Sequence, residues 1–316
     1  MNPIGLQQMW TWRSPRHNRT VGKSCVSGRR NEGHGGILTG VTGRPMVQGR
    51  TLAQDALMQI ISIVSPKGGT GKTALATALA VALAGRECRT CLYDLDPQGS
   101  AARWYFNHRL PRNARSMNGS GTWPDRPLDP LVMNRIADPA RAAASILKDV
   151  EASEEAGRPL EWAVCDTAGG AFGTLGELAV LSDLLVVPLL PSVPDLATIP
   201  KLHAFTASLE TSPEVAAVLT RVPPRSGQRT EFARQTLADA GLRCLAASIG
   251  QSVLWQDAYE AGRSPQEMPF WRSRRAAGEI ARLLDEIITM TSSTERKSHG
   301  RHVSTETAGG AQAVAR

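Results

Sequence analysis

The chain is short of cysteine, of lysine and of long hydrophobic runs, and each shortage closes off a class of protein. Five cysteines, an odd number spread widely over 316 residues, do not make a disulfide framework. Cys88 and Cys91 have Cys-x-x-Cys spacing but no second pair to complete a zinc site. Cys91 also falls in a run that reads as a strand, which points to a buried, inert thiol. No apolar run approaches the ~18 residues of a membrane span, and the first residues lack the compact apolar stretch of a secretory signal. The expectation is a cytoplasmic protein with no membrane partner. An apolar fraction of 41% suits a globular core. Cationic excess is also missing where it would matter. The net charge of +7 divides into +6 over residues 1–57, +2 over 291–316 and −1 over 58–290. Bulk charge therefore gives no argument for a nucleic-acid partner, and any such surface has to be a local patch.

Residues 1–57 are rich in Gly, Arg, Ser, Thr and Asn and have no strand or helix period, so they bury too little apolar surface to offset the entropy of ordering. They read as a disordered basic extension, with a DNA-binding arm as the functional alternative. Gly22-Lys23-Ser24 mimics the end of a phosphate loop, but His17 stands where its first glycine belongs. A strand begins at Met58, so Met58 or Met46 is the expected true start. From 58 to 290, strands near 59–65, 90–94, 161–166, 184–190, 214–222 and 242–249 alternate with helices near 72–84, 139–156, 195–210, 229–241, 252–261 and 271–290. That alternation predicts a doubly wound α/β domain, mostly parallel, with helices on both faces of the sheet. Residues 107–138 read as a long loop, and 291–316 as a polar, disordered tail.

The chemistry concentrates in Pro66-Lys67-Gly68-Gly69-Thr70-Gly71-Lys72-Thr73, directly after Ile60-Ile61-Ser62-Ile63-Val64. A strand runs into a glycine-rich turn, a lysine, a threonine and a helix-forming stretch. Backbone N–H groups of such a loop and of the helix N-terminus point at an anion, and the lysine and hydroxyl complete a phosphate cradle. Pro66 replaces the first glycine of the usual pattern. The chain has 6 Lys against 30 Arg, yet Lys67 and Lys72 share this one loop. Where arginine is the default cation, two lysines together indicate a need for compact point charges on phosphate.

Two more segments end strands with carboxylates. Cys91-Leu92-Tyr93 leads into Asp94-Leu95-Asp96-Pro97-Gln98-Gly99, and Trp162-Ala163-Val164-Cys165 into Asp166-Thr167-Ala168-Gly169-Gly170. The C-terminal ends of strands in an open α/β sheet are where ligands bind. Alone, Asp166 reads equally well as a turn or helix-capping residue; beside a P-loop it has the place of the Walker B aspartate.

These segments, with Ser182–Pro191 and Asp195-Leu196 after them, resemble the ParA/MinD family of P-loop ATPases with a deviant Walker A motif. The resemblance spans about residues 58–290. It implies a P-loop NTPase fold with ATP and Mg²⁺ as cofactors, and a homodimer that sandwiches two nucleotides. It further implies that Gly68, Gly69, Thr70, Gly71, Lys72 and Thr73 hold the chain's own nucleotide, and that Lys67 reaches the partner's. Asp96 would position the attacking water. Thr73 would ligate Mg²⁺, Asp166 would hold it through water, and Asp94 would support the metal shell. Two departures stand out: the family usually has Pro near Ala168, and many members carry Asn near Thr220, where the base is read. Cys165 precedes Asp166, on the wrong side for the iron–sulfur ligands of the nitrogenase-reductase branch.

Within that family the first reading is a nucleoid-associated DNA-segregation ATPase, binding DNA without sequence preference and stimulated by a ParB-like centromere-binding protein. Arg272, Arg274 and Arg275, beside Phe270 and Trp271 at the start of the last helix, form the candidate DNA patch; a solvated, charged helix start is the alternative. The second reading is the ParA-like ATPase of T-DNA and conjugative transfer, with a relaxase as partner. It rests on Ala102-Arg103-Trp104, Asp166-Thr167-Ala168-Gly169-Gly170 and Arg221-Val222-Pro223. A MinD-like membrane role needs an apolar helix face that 291–316 does not offer. An amidotransferase-type ligase needs a glutaminase domain for which no length remains.

Overall fold

The computed structural model describes residues 58–109, 131–170, 172–209 and 213–308, with two two-residue strands, Leu38–Thr39 and Pro45–Met46, ahead of them. All fall within one compact unit, Gly36–Arg316. The expectations for the rest of 1–57 and for 309–316 lie outside the described residues.

Seven strands form the main sheet: β1 (Gln59–Ile63), β2 (Thr90–Asp94), β3 (Leu131–Arg135), β4 (Trp162–Asp166), β5 (Leu184–Leu189), β6 (Glu214–Val222) and β7 (Arg243–Gly250). Their order is β3-β2-β4-β1-β5-β6-β7 and every neighbouring pair is parallel. The five residues of β1 are all buried, as expected of a central strand covered on both faces. Its side chains divide between two cores: Ile61 and Ile63 face one side, Ile60 and Val64 the other.

On the first face lie α1 (Lys72–Ala84), α2 (Ser100–Arg103) with the π-turn Trp104–Arg109 that continues it, α8 (Leu254–Glu260) and α9 (Phe270–Ala308). α3 (Ala142–Glu155), α4 (Gly176–Leu181), α5 (Val193–Leu196), α6 (Ile199–Ala207) and α7 (Gly227–Asp239) cover the second. α1 is Ala- and Leu-rich on all sides, and is packed between the sheet and α9 accordingly.

The doubly wound architecture is as read from the sequence. One strand is additional: β3 lies inside the segment taken as a loop over 107–138. Leu131-Val132-Met133 are buried, but the run is short and follows a stretch rich in Pro, Arg and Asn. The backbone of α9 continues to Ala308, beyond the 290 expected, since no proline interrupts it.

At the far edge, β7 slips in register against β6: Ala217 faces Cys244, whereas Leu219 faces Ser248. Backbone groups freed in between are taken by side chains. Arg234 donates to the carbonyls of Leu245 (2.7 Å) and Ala246 (2.8 Å). The Glu286 carboxylate accepts from the amides of Ala246 (2.7 Å) and Ala247 (2.6 Å).

Candidate functional site

The P-loop leaves the C-terminal end of β1, the strand between β4 and β5. In register, Ile63 faces Asp166 and Asp166 faces Asp94, so both strand-end carboxylates stand level with the start of the loop. The loop is tied down by its neighbours. Thr167 donates its hydroxyl to the Ile63 carbonyl (2.7 Å), and the Gly170 amide bonds the Ser65 carbonyl (2.9 Å). Thr220 donates to the Thr70 carbonyl (2.8 Å), and Arg221 to the Gly69 carbonyl (3.2 Å). Gly71, at φ 90°, turns the chain into α1 through a conformation that favours glycine. Gly68 and Gly69 are exposed, leaving the backbone open to a ligand.

Gly169 is needed for a different reason. A Cβ there would stand 2.7 Å from the Gly68 nitrogen, 2.8 Å from the Lys67 carbonyl carbon and 2.9 Å from the Gly68 Cα. All three are backbone atoms, so the loop itself would have to move, at a cost of about 1–3 kcal/mol. Gly169→Ala is therefore expected to weaken ATP binding at least about tenfold while the cooperative melt survives. Calorimetric titration with a parallel thermal melt checks this; parental affinity would show that the close approach does not matter.

Asp166 is fully buried, and neither carboxylate oxygen meets a hydrogen-bond partner among the described residues. Burial pushes its pKa up to about 8. The Thr73 hydroxyl and the Lys72 ammonium oppose that shift, Thr73 without reaching hydrogen-bond geometry, while Asp94 and Asp96 add to it. Two orphaned oxygens beside a loop threonine suit a hard cation that takes oxygen ligands, so the donor set fits Mg²⁺. Lys72 is buried, which lowers its pKa, with Asp166 and Asp96 opposing the shift.

Asp94 is occupied differently. Its Oδ2 accepts from the Ala102 amide (2.7 Å) and its Oδ1 from the Asp96 amide (3.1 Å), so it braces the turn that carries Asp96. Asp96 is half-buried and accepts from the Gln98 amide (2.9 Å). The Asp96 carbonyl also takes the Gly99 amide (2.8 Å), closing a tight turn.

Lys67 has a partner that the sequence reading did not assign. Its Nζ lies 2.7 Å from Oδ2 of Asp195, in α5. Lys67 is 38% exposed and Asp195 2%. Ser192 donates to the same oxygen (2.7 Å), while Asp195 Oδ1 is buried without a partner among the described residues.

Of Arg272, Arg274 and Arg275, the first and last are far less free than their run in the sequence implies, while Arg274 is exposed. Arg272 pairs with Asp257 of α8, and its guanidinium lies 5.6 Å from the Trp271 ring centroid. Arg275 pairs with Glu279 (2.7 Å). Phe270 and Trp271 beside them are 76% and 79% exposed.

Comparison with known proteins agrees with this geometry. The model of the CobQ/CobB/MinD/ParA nucleotide binding domain matches residues 61–265. Maintenance of carboxysome distribution protein A of Gloeobacter kilaueensis is 27% identical over 230 residues, covering 72% of this chain and 94% of that protein. Among solved structures, the cell division ATPase MinD of Pyrococcus furiosus superposes with a TM-score of 0.54 at 19% identity, over 74% of this chain and 100% of that one. A plasmid partition protein of Borrelia burgdorferi, solved with AMPPNP, does so with a TM-score of 0.52 at 16% identity, over 73% and 100%.

Proposed function

Because the chain belongs to the CobQ/CobB/MinD/ParA family of nucleotide-binding domains and is an ATPase of the ParA/MinD type, we propose that it is a DNA-segregation or positioning ATPase. Mg-ATP closes a homodimer, the dimer holds DNA without sequence preference, and a partner protein triggers hydrolysis and release. The observation that carries the reading is Lys67, a second cation on the P-loop whose ammonium points to Asp195 rather than into the chain's own cradle.

In this reading Gly68–Thr73 and Lys72 take the phosphates of the chain's own nucleotide, and Lys67 reaches the partner's across the dimer. Thr73 and Asp166 hold Mg²⁺, whose charge offsets that of the triphosphate. Asp96 sits on a turn fixed by Asp94 and orients water at the γ-phosphate. Phosphoryl transfer asks little covalent chemistry of a protein, so this positioning is the main part of the rate.

DNA would meet the start of α9. Arg274 is available, and the partly exposed Arg272–Asp257 pair is worth only about 0–1 kcal/mol, so a phosphate can replace that carboxylate, whereas Arg275 is held by the buried Glu279 and reaches DNA only through its remaining N–H groups. The cargo follows from the partner. A ParB-like centromere-binding protein fits plasmid or chromosome partition, and a relaxase fits transfer DNA. The likeness to a carboxysome distribution protein, over 72% of this chain and 94% of that protein, favours, as a second reading, a protein body as cargo.

Asp96→Ala tests the cycle. It is expected to bind ATP as the parent does, to lose about 10²-fold or more in turnover, and to persist as a dimer. In Mg-ATP that dimer should retard random-sequence duplex in a salt-sensitive way, and replacing Arg272, Arg274 and Arg275 together by alanine should flatten the salt slope. Size exclusion and anisotropy read both effects. A monomeric, ATP-bound Asp96→Ala protein with normal turnover would sink the reading.

A further inference from the structure

Residues 269–278 hold Arg272, Arg274 and Arg275 and no carboxylate. Phe270 and Trp271, which open α9 in the same run, are the two most exposed large apolar side chains among the described residues. Val193, Phe232 and Val253 are exposed as well, but no two of them adjoin in the chain. Neither the Phe270 nor the Trp271 ring packs on another aromatic ring among the described residues. The Arg272 guanidinium, 5.6 Å from the Trp271 ring centroid, covers one face of the indole at most, so the other is open to solvent. Arg274 is exposed; it lies three residues from Trp271 and four from Phe270, which on a helix makes it a neighbour of both.

We propose that Phe270 and Trp271 stack on unpaired bases, with Arg274 on the flanking phosphate, so that the start of α9 grips a single strand of DNA by its bases. The inference rests on the reading that DNA meets α9, and it names the form of DNA held there. Two rings among guanidinium groups suit an anion that carries π-faces of its own. Inside a duplex each base is stacked on both sides, and a side-chain ring reaches its face only by prising the step apart. An unpaired base offers that face freely whatever its identity, and an arginine beside the ring adds attraction for base and phosphate alike. Holding a duplex by its phosphates needs cations alone, and leaves the two rings without a part.

Anisotropy titration of the full chain, with Mg²⁺ and AMPPNP, against labelled oligo(dT) of about 20 nucleotides and a random-sequence duplex of the same length tests this. Phe270→Leu combined with Trp271→Leu keeps apolar side chains but removes both stacking faces. It should weaken strand binding by about tenfold or more and leave duplex binding within about twofold of the parent. Phe270→Tyr combined with Trp271→Phe keeps both rings and should hold strand affinity within about threefold, which with a thermal melt separates stacking from folding. Arg274→Ala should weaken strand and duplex together and flatten both salt slopes. Ultraviolet cross-linking to an iodouracil-bearing strand should leave an adduct on Phe270 or Trp271. Parental strand affinity in the leucine pair, equal losses on strand and duplex, or adducts only elsewhere in the chain would overturn the inference. So would a leucine pair that keeps the strand but no longer dimerises, which would give the rings to a second copy. A parent that binds duplex and not strand sinks this inference alone; one that binds neither also removes DNA from the proposed function.

Discussion

Lys72→Ala is expected to abolish measurable ATP binding while leaving the fold intact. Lys72 is the first residue of α1, buried at the mouth of the loop, and its ammonium lies within the influence of Asp166 and Asp96. A charge-assisted contact to phosphate is worth up to about 3 kcal/mol, or roughly 10²-fold in affinity. Its loss has a second cost, because Asp166 then faces the triphosphate with one cation fewer to offset it. Together these put the affinity about 10³-fold down. Lys72→Arg is not expected to rescue it, since a planar fork does not fit where a compact ammonium is held. Calorimetry with a thermal melt in the absence of nucleotide separates binding from folding. Retained micromolar binding in a folded Lys72→Ala protein would show that the cradle is not where the phosphates sit.

Lys67→Ala should give the opposite pattern: ATP affinity within a few-fold of the parent, but no dimer and turnover down by about 10³-fold, the scale of a cation supplied in trans. The Lys67–Asp195 pair sharpens this. Asp195 is nearly inaccessible, its Oδ2 is shared by Lys67 and Ser192, and its Oδ1 has no partner among the described residues. To reach a partner's nucleotide, Lys67 has to leave that carboxylate. Asp195→Asn keeps the shape and removes the charge, so it should lower the protein concentration at which the ATP-bound dimer forms. Light scattering against concentration, with single-turnover hydrolysis, reads both variants. Equal dimerisation of Lys67→Ala and the parent would remove the role across the interface.

What was legible in the sequence is what lies close together along the chain. Pro66–Thr73 is one turn between one strand and one helix, so residue type and order alone indicate an anion site. Asp166 could be placed at a strand end because the run Trp162–Cys165 fixes a strand and the aspartate ends it. Pairings across the fold left no such mark. Lys67 and Asp195 meet because β5 lies next to β1, an adjacency that periodicity does not report. The close approach of Gly169 to Gly68 follows from the pairing of β4 with β1, which residue order does not report. β3 went unread because three buried residues are too few to outweigh the polar composition before them. Asp94 was read as a carboxylate for the metal shell; its two backbone amides appear only once the Asp96 turn has closed.

The treatment of β7 bears on how such a protein survives being concentrated. In the proposed DNA-bound state, molecules gathered on one duplex would meet edge to edge at high local density, and an open strand edge is a template for runaway sheet addition. Here the strand is kinked by a register slip, and Arg234 and Glu286 already hold the groups that a stray strand would need. Crowding then finds the Leu245–Ala247 stretch of this margin already occupied rather than open to a fibre seed.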